Sequence, residues 1–516
     1  MVIPPFRNEP LTDFLINENR QDFVAALSRV KSALGQTYPL IIDGREIATM
    51  DVIRSVNPAH PDQVVGCHAV AVPEHVDQAV SAATRAFRSW SRTSVEDRAA
   101  ILLRTAHTIR GRRHDLSALM VYELGKAWDE ADGEVAEVID LMEWYARQAL
   151  SLAVVDGTTP VSGEINRFRY IPLGVGAIIS PWNFPLSLTT GMMSAALVTG
   201  NTVVVKPAET SSTSVAWLVN IFRESHLPDG VINLLTGWGE VAGEALVDHP
   251  GVRFITFTGS REVGSRIYER AARVTADQRW LKRVQLEMGG KNAVVVDETA
   301  DLTRATREII TGAFGFQGQK CSAGSRAVIV ESVYDDLVSR LIEAARKLKV
   351  GDPIDPAVIV GPVIDDTAEE KILDYIQLGR HEGELLLGGE KPQMDGYFIQ
   401  PTIFGGVTQD ARIAREEIFG PVLAVMKASD FEHGIEIAND TDFGLTGSFF
   451  SRDPGRIAVA RDTIRVGNLY INRRSTGAVM GVHPFGGFNM SGTDTKGGGP
   501  DYLLFYLQGQ SIGEVM

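Results

Sequence analysis

The sequence predicts an α/β protein built on a parallel, doubly wound sheet. Three observations predict it. After Gly174 short apolar strands alternate with helical segments: "VGAIIS" (175–180), "NTVVVK" (201–206), "GVINLLTG" (230–237) and "VRFITFTG" (252–259) flank "SSTSVAWLVNIFRES" and "GEVAGEALVDHP". A second α/β series opens at "VQLEMGGKNAVVVD" and continues through "RAVIVE" and "YDDLVSRLIEAARKL". The 516 residues, 44% of them hydrophobic, are enough for two or three domains with cores of their own.

The elements before Gly174 follow other periods. Phe23, Leu27, Val30 and Leu34 recur at helical spacing and predict an amphipathic helix ending at Gly35. In "PLIIDGREIA" the Asp43-Gly44 pair predicts a hairpin turn between two strands. From about Glu74 to Ala149 the pattern is mainly helical, expected as surface or interhelical packing.

Composition excludes some partners. Fifty Lys and Arg against 65 Asp and Glu give a net charge of −15, which disfavours nucleic acid and anionic membrane surfaces. The start "MVIPPFRNEPLTDF" lacks a signal pattern and no run approaches 18 apolar residues, so a cytoplasmic protein is expected. The two cysteines, Cys67 and Cys321, are too few for a disulfide framework and have no zinc spacing, so no metal site is expected.

Several short stretches carry chemistry. In "FITFTGSREVG" Gly259-Ser260 stands between a strand and a helix, where free N–H groups can hold a phosphate. Gly259 to Gly264 is neither a P-loop nor a GxGxxG fingerprint, and a plain strand-to-helix turn would use the same glycine. In "VVVKPAET", Lys206 and Glu209 follow a strand's carboxyl end, where they can bond a ribose diol or form a solvated ion pair. Glu287 ends the apolar run of "VQLEMGGKN", where desolvation would raise its pKa and suit it to act as a base. Gly289-Gly290 implies a close backbone approach.

Cys321 sits in "FGFQGQKCSAGSR" among polar neighbours rather than in an apolar run, and partial exposure beside the Lys320 cation would favour its thiolate. With Glu287 as base this reads as a nucleophile and its activator. Asn183 in "SPWNFP" is a neutral donor for an oxyanion, or a turn residue.

Taken together and in order, "SPWNFP", "KPAE", "FTGSREVG", "LEMGGK", "GQKCSAGSR", "EEIFGPV" and "PFGGFNMSG" resemble the aldehyde dehydrogenase superfamily from roughly residue 40 to the C-terminus. The resemblance implies a Rossmann-like nucleotide-binding domain (1–151 and 174–286), an α/β catalytic domain (287–467) and a small β oligomerisation arm (152–173 and 488–516). It implies that Cys321 attacks an aldehyde, that Asn183 and the Cys321 N–H stabilise the oxyanion, and that Glu287 activates the water that hydrolyses the thioester. It further implies a nicotinamide dinucleotide against Trp182, Lys206, Glu209, Gly259, Ser260, Gly264, Glu417 and Phe419. NAD is expected over NADP, because Glu209 would accept from ribose hydroxyls and repel a 2′-phosphate.

Within the superfamily, "GFQGQKCSAGSR", "NRRSTGAV" and "PFGGFNMSGTDTKGGGPDYLLFYLQ" resemble the branch that oxidises L-glutamate γ-semialdehyde, in equilibrium with 1-pyrroline-5-carboxylate, to L-glutamate, the second step of proline degradation. That likeness places Lys320, Ser322, Gly477 and Ala478 around the substrate carboxylate and Phe184 and Phe485 on its aliphatic stem. Asn489 stands where Lys is expected in "PFGGFK", and Gly324 where Cys is common. The implied partners are a small aldehyde and further copies of the chain, as a dimer or an assembly of dimers. Alternatives are another semialdehyde such as succinate semialdehyde, a CoA-acylating relative, which Glu287 argues against, and a non-catalytic relative, which would have lost Cys321 or Glu287. Proline oxidation itself is not expected, since nothing supplies a barrel-sized further domain.

Overall fold

The computed structural model describes residues 3–153 and 158–516, so residues 154–157 of the expected arm lie outside the described residues. Its main feature is two separate seven-stranded sheets, the first built from strands up to Glu287 and the second from strands after it.

The first sheet runs in the spatial order Arg283–Glu287, Val252–Thr258, Val175–Ile179, Thr202–Lys206, Ile232–Leu234, Leu40–Ile42, Arg45–Ile47. Its first five strands are parallel, and the last two are the expected hairpin, turning through Asp43 (φ 55°) and Gly44 (φ 73°). The strand order reverses at Val175–Ile179, which has later strands on both sides. The crevice at a doubly wound sheet's ligand-binding end therefore opens where "SPWNFP" and Gly259-Ser260 leave their strands.

The second sheet runs Glu384–Leu387, Thr402–Gly405, Val422–Ala428, Arg326–Val330, Ala293–Val296, Thr446–Phe450, Asn468–Ile471, parallel except for its first pair. Its central strands are buried along their length, as continuous Val, Ile and Ala runs require. Two sequence expectations change here. The strand Arg283–Glu287 belongs to the first sheet, so the second α/β series begins after "VQLEMGG", not at it, and the chain crosses between sheets at 288–292. The last strand, Asn468–Ile471, lies wholly beyond residue 467, where the expected catalytic domain ends.

The helical expectation for 74–149 holds as Pro73–Trp90, Val95–Gly111, Arg113–Leu124 and Trp128–Leu152. The interhelical half of that expectation describes the last two: Arg113–Leu124 is buried from Leu116 onward, and Trp128–Leu152 places Asp132, Glu134 and Asp140 inside the protein. A three-stranded sheet, Gln36–Tyr38, His60–Ala69 and Val52–Asn57, lies apart from both large ones. Of the expected arm, Glu164–Pro172 and Leu507–Val515 form an antiparallel ribbon, while Tyr502–Tyr506 is packed into the core beside the first sheet.

Candidate active site

The first sheet's strands present their carboxyl ends to the same region that the second sheet's strands enter by their amino ends. Glu287 closes one strand of the first sheet; Asn292, Cys321 and Glu417 precede Ala293–Val296, Arg326–Val330 and Val422–Ala428 of the second. The candidate residues are thereby gathered from positions more than a hundred residues apart.

Cys321 follows a tight 3-10 turn, Gly315–Gly318, in which Phe316 (φ 48°), Gln317 (φ 56°) and Gly318 (φ 68°) are all left-handed. Such backbone persists only where its surroundings hold it. Here Gln317 Nε2 donates to the Gly125 carbonyl (3.3 Å), Gln319 Oε1 accepts from Ile364 N (2.9 Å), and Asn183 Nδ2 donates to the Gln319 carbonyl (3.0 Å). Asn292 Nδ2 donates to the carbonyls of Cys321 (2.7 Å) and Ala323 (2.9 Å). The close approach expected of Gly289-Gly290 is present: a Cβ at Gly290 would lie 2.6 Å from the Cys321 carbonyl oxygen, and one at Gly289 would strike the Glu417 carboxylate.

The electrostatics at the thiol differ from the sequence expectation. Lys320 does not favour a thiolate, because its Nζ is spent on Glu130, 2.7 Å from each carboxylate oxygen. Burial, with the nearby Glu417 and Glu287 carboxylates, pushes the half-buried Cys321 thiol up to about 12. Burial raises the Glu287 carboxyl well above the usual range, the direction its place in the sequence implied; its Oε2 accepts from Gly487 N (3.2 Å), and its buried Oε1 has no partner among the described residues. Glu417, raised by burial, accepts from Gly290 N at 2.9 Å.

The nucleotide candidates lie along the first sheet's crevice. Lys206 is buried and pairs with Glu209 Oε1 at 2.6 Å, so this is not a solvated loop pair. Opposite them a Cβ at Gly239 would find its nearest neighbour, Glu209 Oε1, 3.8 Å away, leaving a notch beside a charged pair at a strand's carboxyl end. That donor and acceptor set fits a nucleotide ribose. Ser260 caps the helix Arg261–Ala271 by accepting from Val263 N (3.3 Å), while Gly259 N donates to the Glu287 carbonyl (3.0 Å). Gly264 has a packing reason as well, since a Cβ there would lie 2.5 Å from Met288 Sδ. Trp182 and Phe419 meet edge to face at 5.6 Å, and Phe419 holds φ 60°.

The substrate candidates have separate anchors. Ser322 is buried, and its carbonyl accepts from Ser475 Oγ (2.9 Å), which ties the Gly477-Ala478 turn to the residue after Cys321. Gly477 has φ 75°, a conformation that favours glycine, and its carbonyl accepts from Arg473. Phe184 packs against Phe316 (5.9 Å), and Phe485 exchanges main-chain bonds with Gly497 (2.9 and 2.7 Å). Asn489 is exposed with φ 52°, and a Cβ at Gly324 would sit 3.2 Å from Ser475 Oγ.

Sequence reading missed three residues. Asn292 stood unremarked in "GGKN", although a polar residue entering a buried strand is a signal. Glu130 and Lys126 gave none. Lys126, fully buried, pairs with Glu134 and stands 3.9 Å from the Phe184 ring centre and 4.5 Å from that of Phe316. Glu134 in turn accepts from Leu186 N (2.9 Å) and Ser187 N (3.1 Å), which fixes the loop that carries Asn183.

Known proteins are similar to this chain over all or nearly all of its length. The sequence is similar to the 1-pyrroline-5-carboxylate dehydrogenase of Geobacillus kaustophilus (strain HTA426), 54% identical over 516 residues with all of both chains covered. A solved 1-pyrroline-5-carboxylate dehydrogenase from Thermus with bound NAD superposes with a TM-score of 0.98 at 46% identity, again over all of both chains. A betaine aldehyde dehydrogenase from Staphylococcus aureus in complex with NAD+ superposes at 0.90 with 29% identity, covering 96% of this chain and 97% of that one. Residues 46–512 match the model of the aldehyde dehydrogenase family. By this match and by full-length identity above half, the chain belongs to the aldehyde dehydrogenase family.

Proposed function

We propose that this enzyme oxidises L-glutamate γ-semialdehyde to L-glutamate with NAD as the acceptor, the second step of proline degradation. The full-length relatives that carry the name 1-pyrroline-5-carboxylate dehydrogenase, one of them solved with NAD, support both the substrate and the cofactor.

In this reading the Cys321 thiol gives up its proton to solvent, the Sγ thiolate bonds to the aldehyde carbon as the carbonyl π bond opens to an oxyanion, and Asn183 with the Cys321 N–H takes that charge. When bound, NAD supplies the acceptor for the hydride that leaves that carbon, and Cys321 keeps the acyl group as a thioester. Trp182, Lys206, Glu209, Gly259, Ser260, Gly264, Glu417 and Phe419 are the residues assigned to hold it. Glu287, ionised for this step and with no partner for Oε1 among the described residues, takes a proton from the water whose oxygen bonds to the acyl carbon as the C–S bond breaks, which releases the acid and the Cys321 thiolate.

One observation supports the substrate reading most: the bond from Ser475 Oγ to the Ser322 carbonyl (2.9 Å) ties the chain two residues before Gly477 to the residue after Cys321. An α-carboxylate a few bonds from the reacting carbon can then meet Ser322 and main-chain N–H groups. Lys320 contributes less than the sequence implied, since Glu130 already neutralises it. Phe184 and Phe485 flank the aliphatic stem. The test is NADH production across an aldehyde panel: kcat/KM for the semialdehyde well above that for acetaldehyde or succinate semialdehyde is expected, with L-glutamate competing. Equal efficiency on an aldehyde without the amino-acid end would remove this substrate. Ser322→Ala should raise KM for the semialdehyde about tenfold or more, the worth of a charge-assisted bond of about 1.5–3 kcal/mol.

We assign 1–151 with 174–286 to nucleotide binding, 287–471 to catalysis, and the ribbon to assembly into a homo-oligomer. A two-stranded ribbon is marginal alone, and this one leaves Ile165 and Val515 exposed, which a second copy would cover. No helix among the described residues is long and apolar enough to cross a membrane. Two free cysteines fit a reducing cytoplasm.

A further inference from the structure

The segment before the first helix runs over the helix Trp128–Leu152 and ends on the loop that carries Gly477 and Ala478. Its anchors are specific. Thr12 N and Oγ1 donate to Asp132 (2.8 and 2.7 Å), Glu9 N donates to Asp140 Oδ1 (2.7 Å), and Arg147 Nε donates to the Pro4 carbonyl (3.0 Å). Asp132 and Asp140 are buried on that helix, at 1% and 7% exposure, so Asp132 depends on Thr12 and Arg113 for its donors, and Asp140 on Glu9 N and Asn8.

At its far end Asn8 makes two bonds with one amide: Nδ2 donates to Asp140 Oδ2 and to the Met480 carbonyl, each at 2.9 Å. Phe6 packs edge to face on Trp144 (5.0 Å), and both rings close on Gly481, where a Cβ would lie 2.8 Å from Trp144 and 3.1 Å from Phe6. Gly481 itself holds φ 75°. The loop thus has two moorings: Ser475 on Ser322 at one end and Asn8 with Phe6 on Met480-Gly481 at the other. Gly477 and Ala478 lie between them.

We propose that Asn8 is a positioning residue for substrate selection: by holding Met480 against Asp140 it sets the turn at Gly477-Ala478, and so the grip on the amino-acid end of the substrate. The inference rests on the substrate reading above. Asn8 is far along the chain from every motif and touches none of the reacting groups. Its effect should therefore appear in recognition of the carboxylate end and not in chemistry at Cys321.

The experiment compares wild type, Asn8→Ala and Asn8→Asp as full-length enzymes, measuring kcat and KM for L-glutamate γ-semialdehyde and for acetaldehyde at saturating NAD, with thermal melting alongside. Asn8 is exposed, so both variants should fold. For Asn8→Ala the KM for the semialdehyde should rise about five- to tenfold, the loss of one or two ordinary hydrogen bonds, with kcat and the acetaldehyde kcat/KM within about twofold of wild type. Asn8→Asp, which sets a carboxylate against Asp140, should raise that KM at least as far. An unchanged semialdehyde KM in a wild type that does discriminate between the aldehydes overturns the role of Asn8 alone. So does an equal loss on both aldehydes accompanied by a fall in Tm. A wild type that does not discriminate overturns the substrate reading and this inference with it.

Discussion

Asn292 grips the main chain on both sides of Ser322: its Nδ2 reaches the Cys321 carbonyl at 2.7 Å and that of Ala323 at 2.9 Å, while its Oδ1 accepts from Thr446 N at 2.9 Å. The nucleophile's backbone is thus held by an uncharged, buried amide that bridges three strands' entries to the second sheet. Its charge environment comes from elsewhere, from carboxylates.

Those carboxylates give the first prediction. Burial, Glu417 and Glu287, in that order, raise the Cys321 thiol to about 12. Removing a negative charge favours the thiolate, so Glu417→Gln should lower its titration midpoint and speed alkylation by iodoacetamide at pH 8 by about three- to tenfold in nucleotide-free enzyme. The pH–rate profile checks it; a profile unmoved by the substitution would mean that Glu417 does not face the thiol.

Glu287 and Cys321 separate by step. Glu287→Gln should release about one NADH per site in a burst and then stall, because the thioester lacks an activated water. Cys321→Ala should give no burst while still binding NAD in a calorimeter. Normal steady-state kcat in Glu287→Gln would end its assignment as the base.

Glu209 stands 2.6 Å from Lys206 Nζ at the notch below Gly239. Glu209→Ser removes a carboxylate that repels a 2′-phosphate and should raise the NADP-to-NAD ratio of kcat/KM by about tenfold or more. Parallel initial-rate measurements with the two dinucleotides decide it, and an unaltered ratio would place Glu209 away from the ribose.

Lys291, next to Asn292, is buried with no hydrogen-bond partner for Nζ among the described residues, and burial pushes it down to about 7. A lowered folded pKa means that the unfolded chain binds the extra proton between roughly pH 10.4 and pH 7, so this group's contribution to stability falls as pH drops through that window. Lys291→Met should therefore stabilise the protein by about 1–3 kcal/mol at neutral pH, and by less at pH 10. Melting curves of both proteins at the two pH values test the sign.

The local parts of this protein were legible because each rests on neighbours in sequence. The hairpin at Asp43-Gly44, the buried face of the helix Asn17–Ala33, and the strand-helix alternation after Gly174 follow from spacing and turn chemistry. Cys321 and Glu287 announced themselves as a cysteine out of an apolar context and a carboxylate ending an apolar strand. Asn292 was equally local and went unread.

By itself the sequence determined the strand and helix alternation after Gly174, the helices of 74–149 and, through seven motifs in order, the family; the sheet of Gln36–Tyr38, Val52–Asn57 and His60–Ala69 went unread. Only the tertiary structure decided what each group faces. Lys320 meets Glu130 across 190 residues and so loses its influence on the adjacent thiol; Asn8 meets Met480 across 472. The strand ending in Glu287 joins the first sheet, although the chain runs straight on into the second. The physical reason is that charge-charge and hydrogen-bond energies fall off with distance in space, whereas spacing along the chain constrains only the few residues within one turn or one strand.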